Sequence, residues 1–313
     1  MINGQNILIT GGAGFIGSHL VHKLLDSNQV TVYDIGVHPY SYLNEIKNHP
    51  NLTIHKVNLL NNVVNTNNFD YIIHAAGILG VQNIIDNPIA SIEGNFLAVR
   101  NILNFSIAQK KLKKFLFFST SEVYGNDCLN ASEEYPHIID GIGIRGNYAC
   151  SKSLSEFLVK AYQQTYGLNW LCIRPFNIYG PFRYSSYAIL AFIKNALLGK
   201  EIVINNNGNQ IRTWCYISDF CDAVIQALEL NIINEVFNIG NDKTKISVTN
   251  LAETIKYLSN SESIIRCRHD NLKEEIMFRS PNINKARKLL NYDPLIDLVT
   301  GLQNTIQWVK SII

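Results

Sequence analysis

Tyr148 and Lys152 are the pair of side chains in this 313-residue chain best suited to moving a proton. Residues four apart on a helix share one face, so a phenol and an amine at this spacing lie together. A phenol with its usual pKa of about 10 is a poor base at neutral pH. A nearby ammonium and the positive ring of an oxidised nicotinamide favour the phenolate and lower that pKa. Tyr148 could then remove a hydroxyl proton while hydride leaves the same carbon, although the same spacing also occurs in ordinary surface helices.

A run of polar residues, Thr120-Ser121-Glu122, follows an apolar segment at 115–118 that is typical of a buried strand. Active sites of α/β proteins form at the carboxyl ends of such strands. Thr120 offers a hydroxyl that could hold a substrate alcohol beside Tyr148. Glu122 offers a carboxylate for a second proton transfer.

Gly11, Gly14 and Gly17 lie between the first apolar run and the first helical pattern. Glycines at this spacing allow a tight turn, a close approach of backbone to a pyrophosphate, and close packing of helix on sheet. Asp34 ends the next strand, where a carboxylate can accept both ribose hydroxyls and would repel a 2′-phosphate. The pattern therefore predicts NAD rather than NADP, with a plain glycine turn and a surface aspartate as the alternative.

These candidate residues require an alternation of strands and helices to position them. Short apolar runs occur at 6–10, 30–33, 52–57, 71–74, 115–118 and 170–173, and long helical patterns at 89–108 and 148–166. Strands alternating with helices indicate βαβ units and a parallel sheet covered on both faces. We therefore predict an α/β fold, a Rossmann-type doubly wound parallel sheet with a smaller, interleaved C-terminal lobe.

The pattern changes after Pro175, where elements become shorter and more mixed. We predict an NAD-binding domain over residues 1–175 and a substrate lobe over 176–313. The apolar segments near 213–216 and 236–239 are expected to return to the large sheet, so that the first domain also takes strands from 211–241. Helices are expected near 186–198, 248–258, 283–290 and 298–309.

Composition excludes several classes of partner. Twenty-seven basic and 25 acidic side chains give a net charge of +2, which is too small to indicate binding to nucleic acid or to an anionic membrane. No apolar stretch approaches the roughly 20 residues that span a bilayer. Six cysteines without a C-x-x-C pair, and a start that lacks a signal peptide, favour a cytoplasmic protein. The eight histidines show no metal-binding spacing, so no metal is expected.

Taken together, these residues resemble the extended short-chain dehydrogenase/reductase proteins that act on nucleotide sugars, and the resemblance covers essentially the whole chain. The motifs that carry it arrive in the family's order: Gly11/Gly14/Gly17, Asp34, the run 74–77 (His-Ala-Ala-Gly), Asn95, Thr120-Ser121-Glu122, Tyr148/Lys152, the run 174–181 from Arg174 to Pro181, Arg212, the run 216–219, the run 237–240 and Arg279.

The resemblance implies a tightly held NAD and a nucleotide sugar bound between the lobes, with C4 of the sugar oxidised by NAD while Tyr148 acts as the base. The implied cofactor-binding residues are Gly11, Gly14, Phe15, Ile16, Gly17, Asp34, Asn58, Leu59, Ala75, Ala76, Gly77, Asn95, Ser119, Tyr148, Lys152 and Pro175. The implied substrate-binding residues are Gly80, Val81, Thr120, Ser121, Glu122, Asn177, Arg212 and Arg279. Asn58 departs from the pattern, because the family usually has aspartate there. The two long helices imply a homodimer.

The net reaction after C4 oxidation stays open at this point. We rank first a 4-dehydrogenase or 4-epimerase acting on a hexose or heptose, for example GDP-manno-heptose, in surface polysaccharide synthesis. The alternative is a 4,6-dehydratase or UDP-glucuronate decarboxylase that uses Glu122, because Thr120-Ser121-Glu122 and the region of Arg279 resemble those enzymes. A non-catalytic NAD-binding protein on the same fold is a further alternative.

Overall fold

A computed structural model describes residues 2–61, 63, 68–139, 143, 146–184, 187–268 and 276–313. The strands are β1 (Asn6–Thr10), β2 (Gln29–Asp34), β3 (Leu52–Lys56), β4 (Tyr71–His74), β5 (Lys114–Phe118), β6 (Asp127–Ala131), β7 (Trp170–Pro175), β8 (Ile178–Tyr179), β9 (Ile202–Asn205), β10 (Ile211–Arg212), β11 (Cys215–Tyr216), β12 (Glu235–Ile239), β13 (Ile246–Ser247), β14 (Ile265–Arg268) and β15 (Phe278–Pro281). The helices are α1 (Phe15–Leu25), α2 (Val81–Asp86), α3 (Pro88–Ile107), α4 (Gly146–Tyr166), α5 (Ala188–Leu197), α6 (Ile217–Glu229), α7 (Val248–Leu258), α8 (Asn284–Leu290) and α9 (Leu298–Lys310), with 3₁₀ turns at Tyr42–Glu45 and Ser121–Tyr124.

The predicted doubly wound parallel sheet is confirmed. Seven strands pair in the order β12-β7-β5-β4-β1-β2-β3, and every pairing is parallel. All five residues of β5 are buried, as expected for a strand with helices on both faces. One face packs against α1, α6 and α8, and the other against α3 and α4. The chain reverses direction along the sheet between β1 and β4, and a crevice at such a switch point is where α/β sheets bind ligands.

A second, smaller lobe packs beside the carboxyl ends of these strands. Its core joins α5, α7 and α9, and includes Ile193, Leu251 and Leu302. A four-stranded sheet in the order β13-β10-β15-β6 interleaves the lobes, because β6 comes from the first half of the chain. The helix expected near 186–198 is α5, although residues 185 and 186 lie outside the described part. The domain boundary at 175 stays a prediction.

One strand assignment was wrong. The segment near 213–216 was expected to rejoin the large sheet, but β11 pairs with β8 in a separate two-stranded sheet. The place beside β7 is taken by the longer β12, as expected for 236–239. β11 has only two residues and leads directly into α6, so it has little backbone with which to compete for a sheet edge. Among the described residues, no helix is both long enough and apolar enough to cross a membrane.

Candidate active site

The loop between β1 and α1 forms a cradle made of backbone. Gly11 has φ +69°, and a Cβ there would lie 2.5 Å from the amide nitrogen of Ala76. A Cβ on Gly17 would overlap the carbonyl oxygen of Gly11 and lie 2.7 Å from Cα of Gly12. Gly14 precedes the first turn of α1 and has no side chain to bond the free amides there. Free amides and the positive end of a helix dipole fit a pyrophosphate, so the cradle suits a dinucleotide.

Asp34 lies at the end of β2, beside this cradle. Its Oδ2 accepts a hydrogen bond from the amide of Ala13 at 3.0 Å, and its Oδ1 accepts one from Gly36 at 3.3 Å. Burial raises the pKa of the Asp34 carboxyl above its usual value. A carboxylate fixed by the glycine loop itself is well placed to accept ribose hydroxyls.

The other expected cofactor residues line the same edge of the sheet. Asn95 binds both backbone groups of Ile78, with distances of 2.8 and 3.2 Å, and so fixes the loop that follows β4. Gly77 in that loop lies next to Lys152, since a Cβ there would be 3.5 Å from Nζ. The side-chain oxygen of Asn58 accepts a hydrogen bond from the backbone amide of Leu60, so the Asn58 side chain stabilises the turn in which it lies.

The remaining cofactor predictions are placed as follows: Phe15 and Ile16 open α1 and pack on the core, Leu59 is buried, Ala75 donates its amide to Thr10, Ala76 meets Gly11, and Pro175 ends β7 beside Ile239.

Tyr148, Lys152 and Thr120 come together at the carboxyl end of β5. Tyr148 and Thr120 share a hydrogen bond between their hydroxyl groups. Lys152 Nζ donates to the carbonyl of Phe118 at 2.9 Å, which ties α4 to the strand that carries Thr120. Burial lowers the pKa of Lys152 to about 8. Burial raises the pKa of Tyr148, and the charge of Glu122 raises it further. In this state Tyr148 is therefore a weak base until a further positive charge favours its phenolate.

Glu122 and Arg279 form an ion pair beside Tyr148. Arg279 Nη1 lies 3.3 Å from Glu122 Oε1, and the arginine side chain is almost fully buried. Strand β15 brings Arg279 here by pairing with β6, next to the 3₁₀ turn that carries Ser121 and Glu122. Arg279 lowers the pKa of Tyr148, opposite to the effect of Glu122. The pair places an acid/base group and a fixed cation beside the phenol.

The two residues expected to bind the diphosphate make different contacts. Arg212 lies beside Arg279 in the register of β10 and β15, but its guanidinium donates to the carbonyls of Ile211, Ile276 and Met277. Asn177 donates to the carbonyl of Thr213 at 2.9 Å and accepts from the Tyr187 hydroxyl at 3.4 Å.

The loop after β4 contributes Gly80 and Val81. Gly80 has φ +102° and its carbonyl accepts from Ile84 in the first turn of α2. Val81 begins α2, and its side chain lies outside the described part.

A buried ion pair next to Lys152 was not predicted. Glu156, one turn beyond Lys152 on α4, accepts two bonds from Arg174 at 2.9 and 2.6 Å. It also accepts from the Ser119 hydroxyl at 2.5 Å, so this predicted cofactor residue uses its hydroxyl on a buried partner. Burial opposes ionisation, but the bonds from Arg174, His137 and Ser119 together lower the pKa of Glu156 to about 2. Only its helical spacing from Lys152 could have indicated it.

Comparison with known proteins gives a consistent set of relatives. Residues 7–240 match the model of the NAD dependent epimerase/dehydratase family. The chain is similar to a UDP-N-acetyl-alpha-D-glucosaminuronate decarboxylase of Bacillus cytotoxicus, with 36% identity over 98% of both chains. It is similar to UDP-glucuronic acid decarboxylase 3 of Arabidopsis thaliana, with 32% identity over 95% of this chain and 87% of the other. Among solved structures, a UDP-glucuronic acid 4-epimerase from Bacillus cereus, in complex with UDP-glucuronic acid and NAD, superimposes with a TM-score of 0.88. It is 27% identical over 98% of this chain and 100% of the other.

Proposed function

Because this chain belongs to the NAD dependent epimerase/dehydratase family, we propose that it oxidises C4 of a nucleotide-linked uronic acid and then decarboxylates the sugar. NAD is its cofactor. The observation that carries the proposal is the cluster in which Tyr148 bonds Thr120, lies one helical turn from Lys152 on α4, and interacts with both members of the Glu122–Arg279 pair.

In the first step, Tyr148 removes the proton of the C4 hydroxyl while Thr120 holds that hydroxyl by a hydrogen bond. Bound NAD⁺ supplies the hydride acceptor for this oxidation and the positive charge that the phenolate needs. Lys152 adds a second positive charge near the base and is held in place by the carbonyl of Phe118. Asn95 and Gly77 fix the loop against which the cofactor rests.

The second step follows from the chemistry of the ketone. A C4 ketone makes the C6 carboxylate a β-keto acid, so the C5–C6 bond can break and release carbon dioxide. The electron pair moves into the C4 carbonyl as an enolate, which Arg279 can stabilise as a fixed cation. Glu122 then delivers the proton that adds to C5. The C4 ketone is finally reduced by return of the hydride held on the bound cofactor, and Tyr148 gives its proton back to the C4 oxygen, so NAD⁺ is restored and no NADH remains. The relatives named as uronic acid decarboxylases support this ending.

A 4-epimerase is the second candidate. The solved UDP-glucuronic acid 4-epimerase has nearly the same fold, and return of hydride to the opposite face needs no acid beyond Tyr148. The two endings share the first step and the same base.

The test is a panel of nucleotide sugars, comprising UDP-glucuronic acid, UDP-N-acetylglucosaminuronic acid, UDP-glucose and GDP-manno-heptose. Nicotinamide absorbance and product mass are followed together. Loss of carbon dioxide from a uronic acid without lasting NADH is the expected result. An isomer of unchanged mass would favour the 4-epimerase. Lasting NADH with a product lighter by two hydrogens would indicate a 4-dehydrogenase, and loss of water a dehydratase. No turnover across the panel would contradict the proposal.

We also propose that two copies pair through α3 and α4. These helices pack on each other and expose apolar side chains, including Ile92 on α3 and Leu154 and Phe157 on α4. Exposed apolar area of this kind is typical of an interaction surface. Sedimentation velocity should give twice the mass of the chain, and Phe157→Glu should shift the protein toward monomer.

A further inference from the structure

Arg183 is a cation in the cleft, and the proposed reaction gives it no role. Its guanidinium carbon lies 3.7 Å from the ring centre of Tyr187 and 5.1 Å from that of Phe15. Nη1 donates to the carbonyl of Ile178 at 2.8 Å. Nε is buried and has no hydrogen-bond partner in the described part of the chain, and within it no carboxylate pairs with this arginine. A buried donor without a hydrogen-bond acceptor costs free energy unless a ligand supplies that acceptor.

The neighbours of Arg183 hold its backbone in place from both sides. Phe182 stacks on Tyr42 with ring centres 4.0 Å apart. Tyr184 stacks on His38 at 3.8 Å, and its hydroxyl donates to the carbonyl of Ala13 in the glycine loop. The segment 182–184 therefore links the smaller lobe to the NAD-binding half, and Arg183 is positioned before any ligand arrives. Such preorganisation lowers the entropic cost of binding.

The position of the guanidinium indicates which anion it serves. The Tyr187 ring beneath it carries a hydroxyl that bonds Asn177, on the sugar-facing side. Arg183 also interacts electrostatically with Tyr148, so its charge lies near the base that acts on C4. The Phe15 ring packs against the guanidinium at the start of α1, on the side of the glycine loop. An anion next to C4, rather than the cofactor pyrophosphate, fits this arrangement.

We infer that Arg183, held on the face of Tyr187, binds the C6 carboxylate of the sugar and sets the preference for a uronic acid over the neutral hexose. The inference rests on the proposed function, because it names the group of the substrate that this cation recognises. A planar guanidinium pairs with a carboxylate through two parallel hydrogen bonds, which a neutral hydroxymethyl group cannot form.

The experiment compares binding of UDP-glucuronic acid and UDP-glucose, which differ only at C6, to the NAD-loaded protein by calorimetry. The wild type should prefer the uronic acid. Arg183→Met keeps an apolar chain on the Tyr187 ring but removes the charge, and it should weaken uronic acid binding by about 30-fold or more. Binding of UDP-glucose and NAD content should stay unchanged. Arg183→Lys should recover only part of the preference. Arg266→Met, at an exposed ion pair with Glu201, is the matched control and should leave both affinities unchanged.

Three results would overturn the inference. Equal weakening of both ligands by Arg183→Met would assign the guanidinium to the nucleotide diphosphate. A loss of NAD content would assign it to the cofactor. A wild type that does not prefer, or does not bind, the uronic acid would remove the basis for a carboxylate site. Because the readout is binding, a protein that prefers the uronic acid through Arg183 but releases no carbon dioxide would contradict the proposed reaction alone.

Discussion

The side of the cleft that we propose to face NAD is made of backbone, whereas the side that we propose to face the sugar is made of side chains that hold one another. On the first side, Gly11 and Gly17 leave no room for a Cβ, and Asp34 is fixed by the Ala13 amide of the same loop. On the second side, Glu122 depends on Arg279 for its position, and Arg183 depends on Tyr187. The first site is specified within a short stretch of chain, and the second is assembled from distant segments.

This difference has a consequence for how each side can change. A cradle of backbone tolerates almost no substitution, so it stays suited to one cofactor. A pocket of paired side chains can change one pair at a time without disturbing the sheet beneath it. Relatives named as decarboxylases, epimerases and dehydratases each match nearly the whole of this chain, which is the outcome expected from such a division.

Gly17→Ala tests the backbone side and has the largest expected effect. The new Cβ would overlap the Gly11 carbonyl, so the loop must move and the amides that face the pyrophosphate are displaced. NAD affinity should fall by at least about 100-fold, which corresponds to about 3 kcal/mol. Fluorescence titration with NAD measures it, and circular dichroism checks the fold. Gly36→Ala is the control, because a Cβ there meets no atom within 4 Å. Normal NAD binding by a folded Gly17→Ala protein would contradict the steric argument.

Tyr148→Phe tests the junction of the two sides. It removes only the hydroxyl that bonds Thr120, and so the proposed base. The rate of C4 oxidation should fall by about 10³-fold, while NAD stays bound. Single-turnover formation of NADH measures the rate, and absorbance of the released cofactor measures NAD content. Tyr166→Phe, exposed on the same helix, should have no effect. Unchanged oxidation in Tyr148→Phe would refute the mechanism.

The parts that could be predicted from sequence are those specified by local spacing. The glycine loop, Asp34, Tyr148 and Lys152 each lie within one element or at its end, where periodicity and turn chemistry act over a few residues. Most strands of the large sheet are short, largely apolar runs, so six of its seven strands could be placed from these runs and the helical patterns between them. β12 was also expected to return to the sheet, because its apolar residues need cover on both faces.

The parts that could not be predicted depend on contacts between distant segments. Arg183 is an ordinary cation in sequence, and only the fold brings Tyr187, Phe15 and Tyr148 around it. The short β11 was misassigned because two apolar residues do not reveal which partner strand is nearest. Ser119 was assigned to the cofactor, yet its hydroxyl bonds Glu156, which lies 37 positions away.

Glu156→Gln tests the support beneath both sides. Glutamine keeps the shape but leaves the Arg174 charge buried without its partner, which should cost about 3 kcal/mol of unfolding free energy at pH 7. Since the pKa of Glu156 is lowered from 4.5 to about 2, its stabilisation is present above pH 4.5 and is lost as pH falls toward 2. Urea unfolding at pH 7 and pH 3 should therefore show a gap between wild type and variant that narrows in acid. The exposed Glu253→Gln serves as control, and a gap of constant size would contradict the assignment.

Glu122→Gln has the smallest expected effect. It removes a charge on the side proposed to face the sugar, and the result is measured as a change in the pKa of Tyr148, on which both sides act. The carboxylate of Glu122 raises the pKa of Tyr148 and the guanidinium of Arg279 lowers it. A neutral amide removes the first effect and frees Arg279 from its ion pair, so both changes lower the pKa of Tyr148. The acid limb of C4 oxidation should move to lower pH by roughly half a unit, since each unit corresponds to about 1.4 kcal/mol and Glu122 is partly exposed to solvent.

The pH dependence of single-turnover NADH formation measures this shift, with the exposed Glu134→Gln as control. If Glu122 also protonates C5, the variant should form the C4 ketone and release carbon dioxide but form the final sugar slowly, so carbon dioxide release and product formation separate in one protein. An acid limb that stays in place, or moves to higher pH, would show that the sugar-facing pair does not tune the base. The two sides of the cleft would then act independently, and the cofactor and Lys152 would supply the charge that Tyr148 requires.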